Sequence, residues 1–234
     1  MESYRKTAII VGVLFIIATV VSILTIAILG STLETPLDQT VITDNEYQIG
    51  LAVLCWIILA ISVTGIGFMM YPILKKYNKD LALGYISFRL TESICIIISS
   101  ITLLSIFTIS QETVAGTIEA ANFQSVGSLL LALQNWSFEI GTLIFLGLGG
   151  FFIYYPLYEL KLVPRVLTLW GLIGAACVLL YGILGLFGLT ADSVTLNILA
   201  APIAIQEMLF AVWLIVKGFT SSTIAVTSTK LEEN

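Results

Sequence analysis

The 234-residue chain contains no histidine. That absence removes His-ligated haem, HExxH zinc chemistry, Ser–His nucleophile pairs and histidine proton relays. Charge is also scarce. Only 11% of residues are charged and 58% are hydrophobic, with a mean hydropathy of +1.04. A soluble domain of this length would have too few charges to cover its surface. Alternating segments of about ten residues, the mark of a membrane β-barrel, are missing. No basic arm is available for nucleic acid, so none is expected as a partner. The three cysteines, Cys55, Cys95 and Cys177, all lie inside apolar runs. None sits in an outer loop where an oxidising compartment could bridge it, and all three read as packing residues. No metal-ligand motif occurs, so neither a metal nor a cofactor is expected.

What the chain does have is apolar length. Six runs are long enough to cross a bilayer of about 30 Å: roughly 8–30, 48–73, 82–109, 125–154, 166–189 and 197–218. The expected fold is all-α: a single six-transmembrane-helix bundle over residues 1–219, followed by a mobile polar tail, 220–234. The third and fourth runs exceed the minimum length, so they are expected to tilt or to project into water. The first run follows a short basic start, Tyr4-Arg5-Lys6. It is longer than a signal-peptide core and no small-residue cleavage site follows, so it reads as a retained span. The acidic stretch 31–47 is expected to be an outer loop holding a short surface helix.

Lys and Arg are distributed on one side only. If six spans alternate, Arg5, Lys6, Lys75, Lys76, Lys79, Lys161, Arg165, Lys217 and Lys230 all fall at one end. The other end carries Glu34, Asp38, Asp44, Glu46, Glu112, Glu119 and Asp192, with no basic residue. The positive-inside rule then places both termini in the cytoplasm. Two exits, Tyr71-Pro72 and Tyr155-Pro156, share a pattern of interfacial Tyr, Pro, basic loop and apolar restart. This fits either an internal duplication or two solutions to one turn problem.

The tenth basic residue, Arg89, lies in the middle of an apolar segment, as do Glu92, Glu139 and Glu207. A charged side chain at the bilayer centre costs about 2.5–3.5 kcal/mol. Four unpaired ones would cost on the order of 10 kcal/mol, as much as the whole stability of many folds. They are therefore expected to be paired, neutralised or hydrated. Arg89 and Glu92, three residues apart, share a helix face. Helical counting places Ser128, Asn135, Glu139, Thr142 and Gly149 on one stripe of the fourth span. In the sixth span, Asn197, Ala200, Ala204, Glu207, Ala211 and Gly218 form a stripe of small residues around a carboxylate, with Gln206 beside it. Pro202 lies about one turn before Glu207 and frees a carbonyl there. The fifth span, with Gly171, Gly174, Ala175, Gly182 and Gly185, reads as close helix packing. The expected buried polar site is thus Arg89, Glu92, Asn135, Glu139, Gln206 and Glu207.

Three carboxylates against one guanidinium leave two negative charges, so a proton or a cation is expected among them. Arg89 is expected to pair with at least two of the three. The cluster fits a proton- or cation-linked transporter of a small solute. It also fits a structural polar core in a non-transporting membrane partner or sensor. Acid–base chemistry in a lipid-acting intramembrane enzyme needs a carboxylate pair as well, and no nucleophile accompanies this one. Besides the lipid bilayer, the expected partner is a small solute or a proton.

Three segments carry a resemblance when taken in order: GYISFRLTES, LVPRVLTLWGLIG and APIAIQEMLFAVWLIVKGF. The chain resembles an uncharacterised bacterial family of six-span membrane proteins, a domain of unknown function. The matching positions are Phe88, Arg89 and Glu92; Pro164, Arg165 and Gly171; and Pro202, Glu207, Trp213, Lys217, Gly218 and Phe219. The similarity runs from about residue 5 to 219. It implies a bacterial cytoplasmic (inner) membrane setting and no particular activity.

Overall fold

The computed structural model describes residues 2–189 and 193–220. Regular structure among them is helical: α1 (Glu2–Leu29), α2 (Gln39–Asp44), α3 (Glu46–Leu74), α4 (Lys79–Val114), α5 (Ala120–Glu139), a π-helical segment (Ile140–Phe145), α6 (Leu146–Glu159), α7 (Arg165–Leu186) and α8 (Ser193–Val216). Six helical stretches are long and apolar enough to cross a membrane, with α5, the π segment and α6 forming one 40-residue stretch. The protein is therefore a multi-pass membrane-helical protein. The tail beyond Thr220, with Lys230, and Asp192 lie outside the described residues, as does the side chain of Asn197.

The helix starts have local causes. Asn78 takes an extended backbone, and its Oδ1 accepts from the amides of Asp80 and Leu81 at 2.8 and 3.0 Å, which starts α4 directly after a short basic loop. Asp38 caps α2 in the same way, accepting from the amides of Thr40 and Val41 at 2.8 and 3.3 Å. The short surface helix expected in the outer loop is α2. Ile42 on its inner side is fully buried, next to Leu37, so α2 lies docked on the bundle.

Each spanning helix packs on its chain neighbours, and α8 closes back onto α1. The spans thus form a ring, in the order α1, α3, α4, α5/α6, α7, α8. Glycines set how closely two seams approach. A Cβ added at Gly12 of α1 would stand 2.7 Å from the Ala211 carbonyl of α8, and one at Gly174 of α7 would stand 2.9 Å from the Ile203 Cα of α8. Small residues of this kind let membrane helices touch backbone to backbone. The seam also has a cap. Arg5 donates to the carbonyls of Leu214, Ile215 and Val216 at 3.2, 2.6 and 3.3 Å. It satisfies the last turn of α8 and places a cation at the negative end of the helix dipole. Both helix ends involved belong to the basic end of the bundle, which also holds Lys75, Lys76, Lys79, Lys161, Arg165 and Lys217.

Toward the basic end the inside of the ring is filled. Phe15, Met70, Tyr85, Tyr154, Phe210 and Leu214 are all at most 2% exposed. Phe210 meets both Phe15 and Tyr154 edge to face, at 5.6 and 5.8 Å between ring centroids. Next to this aromatic plug, toward the acidic end, lies the buried charge.

Candidate functional site

Arg89 projects from α4 into the ring and is 3% exposed. It reaches that depth partly because Gly67 of α3 leaves room beside it: a Cβ at Gly67 would lie 3.1 Å from the Arg89 Cβ. Serine and threonine fix this stretch of α4 to α3. Thr64 donates to Ser93 Oγ at 2.8 Å, and Ser93 Oγ lies within 3.0 Å of both the Ala60 and Arg89 carbonyls.

The guanidinium has three directed partners. Nε donates to the Tyr85 hydroxyl at 3.0 Å, one turn toward the basic end. Nη1 donates to Glu92 Oε2 at 3.0 Å, with both side chains at most 5% exposed. Nη2 faces Glu207 Oε1 of α8 at 3.6 Å, an ion pair beyond hydrogen-bond length. The Phe15 ring lies 5.7 Å from the guanidinium carbon. One guanidinium thus meets two carboxylates, and if all three groups are ionised the cluster carries one net negative charge. Arg89 pairs with two of the three carboxylates, as the cost of unpaired charge in lipid requires.

The third carboxylate is elsewhere. Asn135 and Glu139 were expected in the buried site, but both side chains are exposed, and neither has a hydrogen bond or ion pair among the described residues. The cause is the π segment that begins at Ile140. In a π turn each residue advances the helix face less than in an α-helix, so α-helical counting fails across it. Thr142 and Leu146 face the inside of the ring, and Gly149 packs on Phe88 and Tyr85. Asn135 and Glu139 stay on α5, which packs beside α4, and lie off its buried face of Phe123, Gly127, Leu131 and Gln134. The backbone there is held by Ser99, whose hydroxyl donates to the Gln134 carbonyl at 3.1 Å. Gln206 is fully buried but turned toward α7, where Nε2 donates to the Leu167 carbonyl at 3.1 Å. It neighbours Glu207 in sequence without joining the Arg89 cluster.

A cavity of about 240 Å³ meets the cluster on the side away from the aromatic plug. Arg89, Glu92 and Glu207 stand in its wall, together with the hydroxyl residues Thr19 and Ser22 of α1 and Thr142 of the π segment. The rest of the wall is apolar, with Leu59, Val63 and Ile66 of α3 prominent. Along α1 the lining runs from Phe15 to Ile23, two turns toward the acidic end. Ile23 and Ala204 at its rim are exposed. The Thr142 hydroxyl is spent on its own helix, donating to the Phe138 carbonyl at 2.8 Å. Thr19 and Ser22 have no side-chain hydrogen bond among the described residues, so their hydroxyls are available to an occupant.

Sequence reasoning did not single out Tyr85, Thr19 or Ser22. Tyr85 lies one turn before Arg89 on the same face, which the spacing alone could have indicated. Phe15, Thr19 and Ser22 fall at i, i+4 and i+7 in an otherwise aliphatic run, a readable stripe with no charge to draw attention to it.

Among the described residues no group of three or more Cys, Asp and Glu side chains is placed to hold a metal ion. No curated protein and no solved structure matches the chain. A family match covers most of its length, residues 10–218: most of the first span, the other five, and the Arg89, Glu92 and Glu207 positions. The chain belongs to that family, a domain of unknown function designated DUF4386.

Proposed function

We propose that this protein is a small transporter of a bacterial cytoplasmic membrane, with both termini in the cytoplasm, and that its Arg89–Glu92–Glu207 cluster carries a proton or a small cation during the cycle. One observation supports this reading above the others. The buried charges do not form a closed, dry knot: a cavity reaches them from one side, and packed aromatic rings close the other. A charged group in a membrane span that faces a cavity is the usual mark of an ion or substrate pathway. A purely structural cluster would instead be expected to saturate its own hydrogen bonds. Glu207, at 3.6 Å from its guanidinium partner and 14% exposed, leaves bonding capacity unused. Its charge exceeds what Arg89 can offset once Glu92 is paired, so a proton or cation balances the site in each state.

The test is flux in proteoliposomes carrying a pH-sensitive dye, with an imposed potassium diffusion potential. Wild-type protein should move protons or cations above the rate of protein-free vesicles. Glu207→Gln should lower that rate at least tenfold. Glu139→Gln should leave it unchanged, because Glu139 lies outside the cluster. Wild-type vesicles no leakier than empty ones, across pH and cation composition, would end the transport reading.

A further inference from the structure

We infer that the cavity beside Arg89 takes a compact organic monocation, an alkylammonium with a short apolar body, whose head sits at Glu207 among the hydroxyls of Thr19 and Ser22. The inference rests on the transport reading and names its substrate class. Three features of the wall carry it.

The first is the charge count. Arg89 donates to Glu92 at 3.0 Å and to the Tyr85 hydroxyl at 3.0 Å, so its strongest contacts are made within α4. Glu207 receives only the longer 3.6 Å approach. An entering monocation brings the group to neutrality. An entering anion would raise its excess charge, and a neutral solute would leave that excess in place.

The second is hydrogen-bonding capacity. A primary ammonium has three donors. Glu207 can accept, and so can the Thr19 and Ser22 hydroxyls, whose lone pairs have no protein donor among the described residues. All three side chains border the same space, Glu207 from α8 and the two hydroxyls from α1.

The third is size and polarity. The cavity, at about 240 Å³, is below the usual 300–1,000 Å³ of drug-sized pockets. Most of its wall is aliphatic, from Ala18, Leu59, Val63, Ile66 and Leu146. A hydrated metal cation would gain nothing from such a wall, whereas a short alkyl chain is desolvated there.

The experiment uses the full-length protein in nanodiscs, titrated with n-butylammonium chloride by calorimetry. The controls are 1-butanol, sodium butyrate and sodium chloride. Butylammonium should bind at least tenfold more tightly than any control. Glu207→Gln should weaken it at least tenfold, and Glu139→Gln should not change it. Ser22→Leu, which fills the cavity from α1 and leaves every charge intact, should also abolish binding. It guards against a Glu207 variant that merely misfolds. Equal binding of butanol and butylammonium, or butylammonium binding that survives both Glu207→Gln and Ser22→Leu, would overturn the substrate class. Glu207-dependent proton flux in vesicles with no butylammonium binding would likewise reject the organic cation and leave the transporter standing. Specific binding with no flux of either proton or butylammonium would keep the site and remove the transporter.

Discussion

Arg89 Nη2 and Glu207 Oε1 face each other at 3.6 Å across the inside of the helix ring. The contact joins α4 to α8, two helices that are not packing neighbours. With the Tyr154–Phe210 ring contact, which joins α6 to α8, this ion pair braces the bundle across the ring. Arg89 also satisfies Glu92, so its removal strands two carboxylates in a low-dielectric interior.

Truncating one member of a buried ion pair typically costs about 3–5 kcal/mol, because the partner is left charged and unpaired. Arg89→Ala should destabilise the folded protein by about that amount, read as a lower unfolding midpoint in mixed micelles. Replacing the charges together should recover much of the loss. The triple variant Arg89→Met, Glu92→Gln, Glu207→Gln is expected to unfold later than Arg89→Ala alone. A single alanine variant as stable as wild type would show that the brace carries no stability.

Helix approach makes a second, independent prediction. Gly174 faces the Ile203 backbone of α8, with only 2.9 Å left for an added Cβ. Neither backbone can give way locally, so Gly174→Val should cost about 1–3 kcal/mol through overpacking. Gly50, in α3, has nothing within 4 Å of its Cβ position. Gly50→Ala should be neutral or stabilising by up to about 1 kcal/mol, from helix propensity alone. Thermal aggregation midpoints of the two variants in one detergent decide the matter. Equal effects at the two sites would contradict the close approach of α7 to α8 at Gly174.

The sequence made parts of this arrangement legible for identifiable reasons. Arg89 and Glu92 stand out because lipid penalises charge, and their spacing of three places them together on any α-helix. Glu207 stands out because it is the lone charge among alanines and aliphatics. Glu139 falls outside the cluster because the α-helical period does not hold through Ile140–Phe145, where the backbone is π-helical. Isoleucine, glycine, threonine and leucine in that stretch have no local pattern that announces a π turn. The cause is tertiary: Gly141 packs against α4 so closely that a Cβ would stand 2.8 Å from that of Cys95. The cavity wall on α1 was hidden for the opposite reason. Thr19 and Ser22 can bond their own helix backbone at little cost, so nothing in their composition calls for a partner.

Orientation follows from basic residues and can be tested by labelling. In a background lacking Cys55, Cys95 and Cys177, single cysteines at Glu34 and Lys79 sit at opposite ends of the bundle, and both native side chains are exposed. A membrane-impermeant maleimide added to intact cells should mark Glu34→Cys and spare Lys79→Cys until the cells are opened. Labelling of Lys79→Cys from outside, with Glu34→Cys protected, would invert the topology. It would also place the cavity on the cytoplasmic side.

The docking of α2 over the acidic end should depend on pH through Asp38. The Thr40 hydroxyl and the Thr40 and Val41 amides hold its carboxyl below the ordinary value of 3.8, with the hydroxyl contributing most. A carboxyl depressed in the folded state contributes stability that is fully present above the unfolded value and is lost as pH falls through the folded one. The cap should therefore be intact at neutral pH and weaken only in acid, below about 4. Ile42 and Leu37, buried under α2, depend on that helix keeping its place. Hydrogen exchange of the Thr40 and Val41 amides, corrected for intrinsic pH dependence, should show protection falling over that acidic range. Asp38→Asn keeps the accepting oxygen and loses the charge, so its protection should be lower at neutral pH and should not change further in acid. Protection in the wild type that is flat down to pH 3 would mean that α2 is held by its apolar contacts alone, with no contribution from the capping charge.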